Sequence, residues 1–372
     1  MTERLPDGSD RIPPTGMRPW LEERLPVADV VEALRHKTVP RHRYSLWYYF
    51  GGMTLFLFGI QVGTGALLLL YYRPSAAEAY ESVQFIVTRV PFGWLVRSVH
   101  AWSANLMVAG AFAHFFSVLF LHAYRRPREL TWISGVLLLM LTLAFGFTGY
   151  LLPWNEVSFF ATRVGTDIAA AVPIIGTGLV RFMRGGDDVT GATLTRLFGF
   201  HVAILPAIAT ALVGLHLFLV QHHGMSVPPS VERRAADDPT TLRTMPFLPH
   251  FLLRDLFAWT AVLALMAGLA TFYPWELGAK ADAFAPAPAG IRPEWYFLWA
   301  FETLKYVPPT LGGIDGESLA VLVMGAGAVG VLLLPFLAGC SPRAQRLVLW
   351  IGAGVLGFMT FMTGLSLAGA AP

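Results

Sequence analysis

The chain has a single cysteine, Cys340, among 372 residues, and only 14% of its positions are charged. One thiol excludes an intramolecular disulfide. It also excludes a cysteine-ligated iron–sulfur cluster held by this chain alone, because such clusters need several thiolates. No CxxCH motif occurs, so nothing marks a c-type haem attachment. The first residues, MTERLPDGSDRIPPTGMRPW, lack the apolar core of a signal peptide, and the first spanning helix is expected to insert the chain itself. A net charge of +3 carries no signature of nucleic-acid binding.

What the chain has instead is apolar length. A hydrophobic content of 55% exceeds that of a soluble globular protein and indicates an all-α polytopic membrane protein. Long uncharged runs predict seven spans: 45–72, 94–121, 132–152, 197–220, 251–272, 318–337 and 347–367. Four domains follow: an N-terminal cytoplasmic segment over 1–43 with a surface amphipathic helix near 20–34, a four-helix module over 44–220, a linker over 221–250, and a three-helix module over 251–372. The stretch 153–196 is too polar to span, yet holds apolar pieces, as a lid with its own short helices would. Seventeen of the 27 basic residues fall on the N-terminal side of the membrane and ten on the other, which places the N-terminus in the cytoplasm.

Two spans carry two histidines each: His100 and His114, then His201 and His216. A spacing of fourteen turns a helix by roughly 1400°, so His100 and His114 share a face ~21 Å apart. The second spacing is fifteen, about 60° off, and Pro206 between the two is expected to kink the helix and absorb part of the offset. Imidazoles inside a bilayer are costly unless a partner takes up their polarity. Matched in depth, His100 with His201 and His114 with His216 can each bracket a flat metal macrocycle. Ligation of both axial positions suits electron transfer. The alternative is four histidines satisfied separately by neighbouring helices. Gly51 and Gly65, like Gly135 and Gly149, repeat at the same fourteen-residue interval, where the backbone would withdraw side chains from such a group.

These residues resemble the cytochrome b subunit of quinol-oxidising bc and b6f complexes. The likeness rests on FGWLVRSVHAWSAN around His100, RRPRELTWISGV, FTGYLLPW at 147–154, VPIIGTGLV, ATLTRLFGFH before His201, FLPHFLLRDL, and PEWY at 293–296. Seven spans and the fifteen-residue interval look like the b6f branch, fused here in one chain.

The resemblance implies two non-covalent b-type haems. His100 and His201 would ligate the outer, low-potential haem, and His114 and His216 the inner, high-potential one. It implies quinol oxidation at the outer face under the 153–196 loop, with Glu294 as proton acceptor and Tyr150 lining the pocket. Asp255 matches an inner quinone-site aspartate, with His222 a nearby proton donor and Gln221 where the bc branch has histidine. Arg97, one turn before His100, is expected to pair with a haem propionate. Tyr49 stands where the b6f branch has a cysteine for a third, covalent haem, so none is expected. Ser117 replaces an arginine near the inner haem.

A Rieske iron–sulfur protein and a c-type cytochrome are the implied partners, beside membrane lipid and quinone, with a homodimer in a bacterial inner membrane and no nucleic acid. A haem anchor feeding quinone from a peripheral dehydrogenase would need the histidines but not PEWY. A transporter would need a polar path instead of matched histidines.

Overall fold

The computed structural model describes residues 27–338 and 341–369, together with Met17, Trp20, Arg24 and Leu25. Cys340 and most of 20–26 lie outside the described residues. The described chain is mostly helical, with short strands. Helix α1, Val27–His36, precedes strand β1, Thr38–Arg41. A 3-10 turn at Ser45–Tyr48 leads into α2, Tyr49–Leu69, followed by α3, Ala79–Arg89, and α4, Gly93–Phe120. Next comes α5, Glu129–Tyr150.

The 153–196 stretch folds as three short helices: α6, Glu156–Ala170; α7, Gly176–Arg184; and α8, Gly191–Gly199. Each start is set locally where it has a cap. The Asn155 side chain accepts from the Ser158 amide at 2.9 Å, and Thr190 with Thr193 forms a reciprocal capping box. Arg184 locks α7 to α6 and to the turn before α8. Only 4% exposed, it donates to Thr166 Oγ1 at 2.7 Å, the Arg163 carbonyl at 2.9 Å, the Asp187 carbonyl at 2.8 Å and the Asp167 carboxylate at 2.6 Å.

A wide turn at Phe200–Ile204 joins α8 to α9, Leu205–His223, so that Gly191–His223 is one apolar rod. After it come α10, Pro229–Asp237, and β2, Arg243–Pro246, which pairs antiparallel with β1 from Thr38↔Pro246 to Arg41↔Arg243. The stretch expected as a linker is therefore structured and tied to the N-terminal segment. Helix α11, Leu252–Phe272, and α12, Leu298–Lys305, precede α13, Gly316–Leu332, α14, Leu334–Ala338, and α15, Pro342–Ala368.

Among the described residues six helices are long and apolar enough to cross a membrane. They are α2 with its leading turn, α4, α5, the α8–α9 rod, α11 with its leading turn, and α15. The expected span at 318–337 is instead a 17-residue helix broken at Leu333. Pro335 gives the reason, because it cannot donate to the preceding turn. The spanning helices present Val62, Leu67, Phe257, Leu265, Trp350 and Phe361 outward, more than half exposed in each case. In a bilayer these faces meet hydrocarbon, which helices suit because their backbone hydrogen bonds are internal.

Candidate functional site

Helix α2 packs on α4 and α5 packs on α9, and the four histidines sit between these pairs. His100 and His201 face each other with ring centroids 6.4 Å apart and planes at 74°. Each ring lies against one of the four periodic glycines. A Cβ at Gly65 would stand 3.4 Å from His100 Cε1, and one at Gly149 only 2.6 Å from His201 Cε1. At the other depth the figures are 3.1 Å from Gly51 to His114 Cε1 and 3.2 Å from Gly135 to His216 Cε1. The glycines thus make room for the imidazoles themselves, which sharpens the expectation that they clear space for a macrocycle.

The residue just before three of these glycines fixes the ring next to it. Thr64 Oγ1 donates to the Ile60 carbonyl at 2.6 Å and lies 2.8 Å from His100 Nδ1. Its proton is committed, so it accepts from Nδ1–H and leaves the Nε2 lone pair free for a metal. Thr148 does the same for His201, donating to Ala144 at 2.8 Å and lying 3.2 Å from Nδ1. Ser134 donates to Thr131 at 3.0 Å and lies 2.9 Å from His216 Nδ1. Before Gly51 stands Phe50, and the buried Nδ1 of His114 has no partner among the described residues. Sequence reasoning missed these hydroxyls; the Thr-Gly and Ser-Gly pairs were the available signal.

The fifteen-residue interval is met by the wide turn at Phe200–Ile204, which begins one residue before His201. A π-type turn takes up one extra residue, so fifteen positions present the same face as fourteen. Pro206 follows in the first turn of α9, and the register change lies before it.

A second site opens at the end of α5. A cavity of about 200 Å³ is lined by Tyr150, Glu294, Tyr296, Thr162, Gly165 and Phe297 among others, so the PEWY stretch and α6 close over the same space. Burial raises the Glu294 carboxyl above its usual range. Burial also raises the Tyr296 phenol, helped by Glu294. A Cβ at Gly146 would collide with the Tyr296 hydroxyl, so that glycine is required by the fold of PEWY against α5. Trp295 Nε1 donates to Asn105 Oδ1 at 2.7 Å, tying PEWY to α4 as well. Gly149 touches His201 and its neighbour Tyr150 lines this cavity, which sets the two sites side by side.

Residues 34–224 match the family described as Cytochrome b/b6/petB, and residues 280–372 match Cytochrome b(C-terminal)/b6/petD. A cytochrome bc complex cytochrome b subunit from Chlorobaculum thiosulfatiphilum is 47% identical over 338 residues, 91% of this chain and 77% of that one. The chain belongs to the cytochrome b family. Cytochrome b6 of Synechococcus sp. (strain JA-3-3Ab) is 43% identical over 209 residues, 56% of this chain and 97% of that one. A solved structure, "Hyperthermophilic respiratory Complex III", superposes with a TM-score of 0.78 at 30% identity, covering 95% of this chain and 99% of that one.

The chain is therefore an integral membrane cytochrome b of electron transport, and b-type haem follows from the family. The histidines fit such a group. Two metal–imidazole bonds of ~2 Å, with ~1 Å from each nitrogen to its ring centroid, sum to about 6 Å, close to the 6.4 Å between His100 and His201.

The remaining expected residues are dispersed. Arg97 is buried and donates to the backbone carbonyls of Trp275 and, at 3.0 Å, Glu276, so its guanidinium anchors the chain after α11. Asp255 lies against Gly52, whose Cβ would stand 2.5 Å from the carboxylate, and its buried Oδ1 has no partner among the described residues. Gln221 accepts from Lys37, and His222 packs on Phe218 and His223. No hydrogen bond joins Asp255 to Gln221 or His222 among the described residues. Tyr49 is buried and stacks on Phe251 at 5.0 Å, and Ser117 donates to the His114 carbonyl at 2.7 Å.

Proposed function

We propose that this chain is the di-haem, quinol-oxidising subunit of a bc-type complex. The observation that carries the reading is the adjacency at the end of α5: Gly149 against His201, and Tyr150 in the Glu294 cavity. A quinol bound beside Tyr150 would lie next to its electron acceptor, with a buried carboxylate positioned for its proton. Bound haem supplies one-electron acceptance and transfer across the bilayer. The chain's own residues do the rest. His100 with His201, and His114 with His216, hold the two groups at two depths. Thr64, Thr148 and Ser134 fix ring tautomers, and the helices of 153–196 keep water from the quinol.

The hydroxyl pattern supports the assignment of potentials. Both rings of the His100/His201 pair have an acceptor at Nδ1, against one ring of the other pair. An acceptor there raises ligand basicity and favours the oxidised iron. The His100/His201 haem is accordingly the low-potential one and the His114/His216 haem the high-potential one.

Electrons then reach a second quinone near Asp255, with Gln221 and His222 at its edge, completing a Q cycle coupled to proton translocation. A Rieske protein and a c-type cytochrome take the other electron, and the complex is a homodimer in a bacterial inner membrane with a cytoplasmic N-terminus. Helices α13 and α14 together form a broken seventh span, and the modules meet within 221–250. Tyr49 leaves no thiol for a covalent third haem.

A redox titration of the purified complex tests this. Two b-type haems of different potential are expected, both reducible by quinol; a single haem on this chain, or none, sinks the reading.

A further inference from the structure

Lys37 stands just before β1 and reaches two elements at once. Its backbone carbonyl accepts from the Phe247 amide at 2.8 Å, which fixes it to the turn leading into α11, and its ammonium lies 5.8 Å from the centre of the Phe247 ring. The same ammonium donates to Gln221 Oε1 at the end of α9. From Phe247 the contacts run inward, because its ring stacks at 5.6 Å on Phe251, which lies one turn before Asp255. Half-buried, the Lys37 side chain thus bridges the element that carries Asp255 and the one that carries Gln221. The pairing of Thr38 with Pro246 holds it in that place.

The bond to Gln221 has a direction. An ammonium carries three donors and no acceptor, so it meets only the oxygen of a primary amide. With Oε1 committed to Lys37, Nε2 turns its N–H donors to the opposite side, where they meet no partner among the described residues. No nearby carboxylate draws the ammonium away. Glu32, the nearest acid in the sequence, holds Arg35 at 3.8 Å and His36 at 2.9 Å. A glutamine with both ends free offers a donor or an acceptor by turning over, whereas one whose oxygen is held offers a donor only. A quinone carbonyl accepts and cannot donate, so the donor end is the one it needs.

On the reading of an inner quinone site at Asp255 and Gln221, we propose that Lys37 is a positioning residue of that site, which holds Gln221 Oε1 and so presents the Gln221 amide N–H to a quinone carbonyl. The N–H binds more strongly as the carbonyl oxygen gains negative charge on reduction.

The test uses the purified whole complex, reduced with a limiting amount of dithionite and mixed by stopped flow with menaquinone-2 or decylubiquinone, whichever the unaltered complex uses faster. Oxidation of the His114/His216 haem is followed, and the quinone concentration that gives half the maximal rate is read. Lys37→Glu accepts where lysine donates, turns the Gln221 amide over, and is expected to raise that concentration about tenfold, as an unmet carbonyl would. Gln221→Glu keeps the contact with Lys37 but has no amide N–H, and about the same tenfold rise is expected. Lys37→Met leaves the amide free to turn either way and is expected to cost only about twofold, since half of the orientations remain competent. Equal effects of Lys37→Met and Lys37→Glu, which a merely structural tie would give, overturn the proposal, as does an unshifted Gln221→Glu. An unaltered complex whose inner haem no quinone reoxidises removes the inner site itself and the proposal with it.

Discussion

Thr64 Oγ1 accepts from His100 Nδ1 at 2.8 Å while donating to the Ile60 carbonyl, so one hydroxyl decides which nitrogen of His100 is free. Three of the four histidines share this device, and the fourth, His114, has no such partner among the described residues.

Replacing that hydroxyl should change one potential and leave the other. Thr64→Val removes an acceptor worth ~1 kcal/mol, so the His100/His201 haem should rise by roughly 40 mV. Potentiometry with visible spectra resolves the two haems, and equal shifts in both would contradict the assignment.

The four glycines should not be equally tolerant. Gly149→Ala places a methyl 2.6 Å from His201 Cε1, whereas Gly65→Ala meets His100 at 3.4 Å. The first should lose one of two haems and the second keep both, as read by pyridine haemochrome content per chain.

Glu294 should set an acidic limb of the quinol-oxidation profile. Its carboxyl is raised by burial, so it stays protonated to a higher pH than a free glutamate and loses its accepting form earlier as pH falls. The rate of haem reduction by quinol should therefore decline with falling pH from above the ordinary glutamate value of 4.5. Glu294→Gln should slow the reaction by about 10²-fold and flatten that limb. Stopped-flow reduction at several pH values is the measurement.

Arg184 should matter for the loop more than its place in a surface segment suggests. Arg184→Ala strips the buried hydrogen bonds that join α7 to α6 and to the Asp187 carbonyl, a loss on the order of 3 kcal/mol. Limited proteolysis should then cut within 153–196, with haem content retained.

Much of the site was legible in residue order because the bilayer simplifies it. Intramembrane histidines at helical spacing have few roles, and glycines at the same spacing read as their counterparts. The residues that needed long-range packing were not legible. The position of Arg97 one turn before His100 is local, whereas the carbonyls that the chain after α11 brings to its guanidinium are a matter of packing.

The sequence by itself determined the membrane class and the two histidine pairs, because apolar length and helical period are local properties. Tertiary structure alone decided how fifteen residues do the work of fourteen. It did so through a widened turn at Phe200–Ile204 that no composition announces. It also decided that α13 stops at Leu332, and that the Tyr150 and Glu294 side chains, 144 positions apart, line one cavity. Such pairings depend on how helices pack across the bundle, and packing is settled by contacts between distant segments.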